Sequence, residues 1–139
     1  MNISSEQITQ INKNTLYQTT GLQALSAGDG SALSELRPTE DVCWPFPGQP
    51  HGGILFTQMD TTMAWAVVSA VGEGTNCSTV NMEIQYPLPA KGPVFTCEAQ
   101  VVHRTGRSCF VHGESRDEEG GLVAMAQATF RIIKDHTVI

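Results

Sequence analysis

Basic residues are scarce in this 139-residue chain: 8 Lys and Arg stand against 14 Asp and Glu, a formal net charge of −6. Binding to nucleic acid draws on basic surface that neutralises phosphates, so this balance argues against nucleic acid as a general partner. It leaves room for a small anion held by one or two local arginines. Cysteine is sparse too, with four residues at 43, 77, 97 and 109 that form no CxxC pair and no Cys/His cluster of zinc type. His103, His112 and His136 share no ligand-type spacing, so no metal and no cofactor is expected. The N-terminal "MNISSEQITQINKNTLYQ" is polar and lacks the apolar segment of a secretory leader. The longest apolar-rich segment, "MAWAVVSAV", falls short of the roughly 20 residues that a membrane span needs. These absences predict reduced thiols, a cytoplasmic setting and no membrane partner. No internal repeat or low-complexity tract interrupts the chain.

What is present suits one ordinary domain over residues 1–139, with 40% hydrophobic and 16% charged residues. Ser4 and Gln7 have capping-box spacing, and Ile8, Ile11 and Leu16 make one modest stripe, which predicts a short amphipathic helix. "LSAGDGSALSEL" reads as a turn leading into an extended strand, "ALSELRPTEDVCWPF", so residues 1–32 are expected as a helical segment and 33–135 as the core. Pro45, Pro47 and Pro50 stiffen the following loop. From Gly52 to about Val71 the pattern is helical and apolar nearly all round, the mark of a helix buried in a core, and "GEG" ends it. The rhythm then changes to period two: Val80, Met82, Ile84 and Tyr86 alternate with polar residues. Further strand-like runs follow at "VFTCEAQVVHR", "SCFVHGESRD" and "LVAMAQATFRII", joined by short turns. The order predicts an α+β layout in which an antiparallel sheet of five or six strands curls around one long central helix.

Within that helix stands Asp60, a carboxylate in apolar surroundings that is costly unless paired, hydrogen-bonded or protonated. Partly desolvated, it is a better base or nucleophile than a hydrated carboxylate. "PHGG" opens the same helix. Helix N-termini carry N–H groups without partners, and Gly52 and Gly53 let a ligand approach that backbone closely. Structural readings exist for each: Asp60 bonded to Thr57 or nearby backbone, the glycines as a tight helix entry, His51 as a cap.

"PHGG" before a buried helix, an aspartate nine positions after the histidine, "STVNMEIQYPLPAKGP" and "VVHRTGRS" together resemble the hotdog-fold acyl-CoA thioesterases, in the branch typified by the phenylacetate-degradation thioesterase. The likeness covers roughly residues 40 to 133. It implies hydrolysis of an acyl-CoA with Asp60 as nucleophile or general base and the Gly52 N–H on the thioester carbonyl. It further implies that His51 fixes the turn and faces the sulfur side, and that Ser78, eighteen positions past Asp60, orients water. Gly53, Gln49, Thr57 and Thr61 would line the substrate, the two threonines tuning Asp60, while Arg104 and Arg107 in the "RTGR" turn would meet coenzyme A phosphates. Many relatives carry Asn or Gln six positions before the histidine; here that position is Pro45, with Gln49 nearby. Trp65, Phe46, Phe56, Met59 and Met63 allow an aromatic or a medium aliphatic acyl group. Cys77, beside Ser78, has no basic partner in the sequence to activate it as a nucleophile.

Spacing adds a requirement of its own. Gly52 and Asp60 are eight residues apart, about 12 Å of helical rise, whereas a reacting carbonyl must sit about 3 Å from both groups. Both can serve one carbonyl only from different subunits, which predicts a symmetric homodimer; the family implies dimers that pair into dimers of dimers. Two other readings remain: a hotdog enoyl-CoA hydratase or dehydratase, and a non-catalytic acyl-CoA or acyl-carrier binding module.

Overall fold

The computed structural model describes residues 1–134; His136 and the expected core boundary at 135 lie outside the described residues. Helices α1 (Ser5–Ile11) and α2 (Thr15–Thr20) precede strands β1 (Leu22–Gly28) and β2 (Ser31–Leu36). The central helix α3 (Gly52–Val71) follows, then β3 (Thr75–Gln85), β4 (Phe95–Arg104), β5 (Ser108–Arg116) and β6 (Leu122–Lys134). All six strands form one antiparallel sheet in the order β1-β2-β4-β5-β6-β3, and every strand contacts α3. A sheet wrapped on one long helix is the hotdog arrangement that the resemblance implies.

The N-terminal boundary moves. Residues 22–28, expected within a helical segment, form β1, because Leu22, Ala24 and Ala27 bury themselves against the core. Asp29 and Gly30, at φ 48° and 86°, make the two-residue hairpin into β2, the conformation that Asp-Gly favours. The anticipated strand through Phe46 ends at Leu36, since Pro38 cannot continue a ladder. Residues 40–42 form a 3-10 turn, and the proline loop is pinched shut where the Trp44 N–H donates to Gln49 O (2.8 Å) and the His51 N–H to Val42 O (2.9 Å). The single amphipathic helix is two short ones; the Ser4–Gln7 capping box forms, and Tyr17 rather than Leu16 turns inward.

Helix α3 spans the expected residues and stops at Gly72 (φ 91°). It is twenty residues long and apolar enough to cross a membrane by length and composition, a point missed when only "MAWAVVSAV" is counted. Here the sheet takes up its apolar surface: Leu55, Met59, Met63, Ala66 and Val67 are buried against Leu36, Phe95, Val111 and Phe130. A side chain at Gly113 would collide with the Met59 sulfur, so that glycine sets how closely helix and sheet approach.

The buried face also carries a polar network. Gln58 Nε2 donates to Ser34 Oγ (3.3 Å) and Phe95 O (3.1 Å), its Oε1 accepts from Ser115 Oγ (3.4 Å), and Ser34 and Thr62 share a hydroxyl bond of 2.7 Å. Apolar contacts tolerate small slips; a directional network at the helix midpoint does not, so it fixes the rotation of α3. That rotation leaves Gly53, Phe56, Thr57 and Asp60 on the face the sheet does not cover.

Candidate active site

The first turn of α3 is built around a histidine cap. His51 adopts the extended backbone of an N-cap, and its Nδ1 accepts from the Gly53 N–H at 2.8 Å. The Ile54 N–H bonds to His51 O (2.8 Å). Among the described residues, the Gly52 N–H has no acceptor. One donor thus remains free at the positive end of a helix dipole, aimed at whatever ligand reaches it. The ring of Tyr86 stands beside it: a Cβ on Gly52 would lie 3.5 Å from Tyr86 Cζ, and the Tyr86 hydroxyl donates to Gly52 O at 2.8 Å.

Asp60 lies half-buried two turns further along α3. Its Oδ1 accepts a 2.6 Å hydrogen bond from Thr79 Oγ1 on β3. The hydroxyl that reaches Asp60 is therefore nineteen positions on, not eighteen. Successive side chains on a strand point to opposite faces, so with Thr79 turned to the helix, Ser78 points away, and its hydroxyl makes no bond among the described residues. Thr57 and Thr61 do not tune the carboxylate through hydrogen bonds. Their hydroxyls turn back on the helix, to Gly53 O (3.0 Å) and Thr57 O (2.7 Å).

Oδ2 of Asp60 has no donor among the described residues. Burial, and then the nearby Asp60 charge, pushes the Cys77 thiol up to about 12, which removes it as a nucleophile.

The remaining candidates divide. Gln49 serves the loop through its backbone, accepting from Trp44 and donating to Phe46 O (3.1 Å). Arg104 donates from Nη1 to Ala70 O (3.1 Å), satisfying a carbonyl at the C-terminal end of α3. Arg107 lines a cleft of about 450 Å³ together with Arg131 and Lys134, two cations that the sequence pattern gave no reason to single out. Among the described residues no group of three His, Cys, Asp or Glu could hold a metal.

The strand that holds Asp60 is itself an edge. Among the described residues β3 pairs only with β6, and its pairing slips by one residue between Thr79 and Asn81, a bulge at Val80. The bulge reverses the alternation, so Cys77 and Thr79 face the helix before it and Met82 and Ile84 after it, while Val80 is 58% exposed instead of joining their stripe. Beside this edge Phe56, Tyr86 and Leu88 are also exposed. A free donor, an ionisable carboxylate with one oxygen uncommitted, and an apolar rim are the parts that nucleophilic attack on a carbonyl requires.

Comparison with known proteins bears on these parts. A family model described as the thioesterase superfamily matches residues 48–124, from the loop before His51 to the start of β6. The conserved protein PA5202 of Pseudomonas aeruginosa is 31% identical in a structural match covering 94% of this chain and all of that one, with a TM-score of 0.81. The thioesterase HI1161 of Haemophilus influenzae is 18% identical over 96% of this chain and 93% of its own, with a TM-score of 0.87. The PaaI protein of the phenylacetic acid degradation operon of E. coli is 21% identical over 91% and 90%, with a TM-score of 0.80. The last two likenesses speak for the fold.

Proposed function

Because this chain belongs to the thioesterase superfamily, we propose that it hydrolyses the thioester of a small-to-medium aromatic or aliphatic acyl-CoA, releasing free acid and coenzyme A. The observation that carries this reading is the pairing, on the open face of one helix, of an unpartnered Gly52 N–H with a Thr79-held Asp60 carboxylate. Each has a role in acyl transfer and neither is needed for the core.

In the proposed reaction Asp60 is the general base. Thr79 holds Oδ1, and the uncommitted Oδ2 takes a proton from water as that water attacks the carbonyl carbon. The developing oxyanion is met by the Gly52 N–H, with the helix dipole behind it. Collapse of the tetrahedral intermediate breaks the C–S bond, and the proton on Asp60 passes to the departing thiolate. A single turnover in oxygen-18 water separates this route from direct attack by Asp60: label entering Asp60 itself would favour covalent attack.

Gly52 and Asp60 are separated by about 12 Å of helical rise, so the donor comes from one subunit and the base from its twofold partner. The uncovered face of α3 and the apolar rim along β3 are the surfaces such a partner would cover. Arg107, with Arg131 and Lys134 in the same cleft and Arg104 across the turn, supplies positive charge for the coenzyme A phosphates. The setting is a reducing one such as the cytoplasm, where the four cysteines stay as thiols.

The test follows thiol release from an acyl-CoA panel for wild type, Asp60→Asn and Gly52→Pro. Proline is tolerated at the first helical position but carries no N–H. Both variants are expected to lose at least about 100-fold in kcat. Mixing them should restore activity, because a hybrid dimer keeps one site with Gly52 from one chain and Asp60 from the other. No thiol release from any thioester would overturn the reading; enoyl-CoA hydration without release would assign a hydratase, and saturable binding without turnover a binding module.

A further inference from the structure

We propose that Tyr86 is a positioning residue for the reaction: its hydroxyl holds the first turn of α3 so that the Gly52 N–H points at the carbonyl. The inference rests on the thioesterase reading above.

The turn that bears the donor consists of Gly52 and Gly53, and glycine is the residue that loses most freedom on entering a helix. Left to intrahelical bonds alone, such a turn frays. Two side chains from outside the helix restrain it. His51 takes the Gly53 N–H from the loop side, and Tyr86 donates to Gly52 O from the strand side (2.8 Å). The two restraints fall on the C=O and the N–H of one peptide group, that between Gly52 and Gly53, which directly follows the peptide carrying the Gly52 N–H. That preceding peptide is tied in turn through His51 O, which accepts from the Ile54 N–H (2.8 Å), so both planes of the first turn are held.

Tyr86 is itself well anchored. It follows directly on β3, and Pro87 restricts its backbone to extended conformations. Burial raises its hydroxyl above the ordinary phenol range, so at neutral pH it is a donor. The ring is 45% exposed and contributes little to the core. Within one protomer, then, what Tyr86 contributes is its hydroxyl bond to a helix-end carbonyl beside the unpartnered N–H. Oxyanion stabilisation depends on donors oriented before the charge develops, so loosening this turn should act on kcat.

Tyr86→Phe keeps the ring and removes only the hydroxyl. Steady-state kinetics with the best acyl-CoA of the panel should show kcat lowered about ten-fold with KM within about two-fold, at a melting temperature close to wild type. Hydrogen exchange at the Gly53 and Ile54 amides should quicken, a readout independent of turnover. Unchanged kcat in the variant beside an active wild type would overturn the role of Tyr86 and leave the thioesterase reading standing. A loss confined to KM, or one that only tracks a collapse in melting temperature, would overturn it as well. A wild type inactive on every thioester would sink the thioesterase reading, and this inference with it.

Discussion

Thr79 and Tyr86 lie seven residues apart, an odd spacing that on a regular strand would turn them to opposite faces, yet both reach α3. The extra residue at Val80 restores the parity. β3 and the residue that follows it thereby hold both proposed groups of the helix, Asp60 through Thr79 and Gly52 through Tyr86.

This orientation separates two neighbouring hydroxyls. Thr79→Val should lower kcat about ten-fold by releasing Asp60, whereas Ser78→Ala should stay within about two-fold of wild type. Thioester hydrolysis by the two purified variants checks the pair. Equal losses would contradict the strand's facing.

His51 is expected to act mainly as a cap. His51→Ala leaves the Gly53 N–H unsatisfied and should cost about 1 kcal/mol, a few degrees in Tm. His51→Asn offers a capping oxygen and should recover most of that stability in thermal melts. If the variant also retains turnover within several-fold, the imidazole itself takes no proton during the reaction.

Replacing Gln58 by Leu takes a partner away from Ser115, the Phe95 carbonyl and Ser34 in a dry interior, Ser34 keeping its bond to Thr62. The expected loss is about 2–4 kcal/mol in urea unfolding. Removing the neighbouring hydroxyls at the same time, with Ser34→Ala and Ser115→Ala, should return part of it, because it is the orphaned groups that cost.

Stability should decline in alkali. Burial raises Cys97 from the ordinary thiol value of 9.0 to about 11, with smaller lowering contributions from Ser115 and Thr62, and raises Cys77 to about 12. Above about pH 9 the unfolded chain releases these protons while the folded one keeps them, so stability present below that pH is lost as pH climbs toward 11 and 12. Melts at pH 8 and pH 10.5 test the sign. Cys97→Ala should flatten the decline.

Much of this architecture was legible in the sequence because it depends on periodicity. The bounds of α3 followed from an apolar 3.6-residue pattern flanked by glycines, and the strands after it from alternation. β1 escaped because "LQALSAG" is small and weakly apolar; its pairing with β2, through a tight Asp-Gly turn, makes it a strand. At the site, Asp60 and the Gly-Gly entry could be picked out by the chemistry of their positions. Ser78 was implied by the resemblance, at eighteen positions past Asp60, whereas the side chain that reaches the carboxylate is that of Thr79, because neighbouring residues of a strand face opposite ways and the sequence does not show which face meets the helix. Arg104 could be picked out beside a turn, but its bond to Ala70 O depends on two elements thirty-four residues apart, which no local pattern reports.

The placement of the cysteines bears on life beside a reactive product. A catalyst that liberates a thiol is bathed in mixed disulfides wherever oxidant is present, and exchange begins from a thiolate. Burial holds Cys77, Cys97 and Cys109 in the protonated form, so these sulfurs are poor entry points for capture of the enzyme by what it releases.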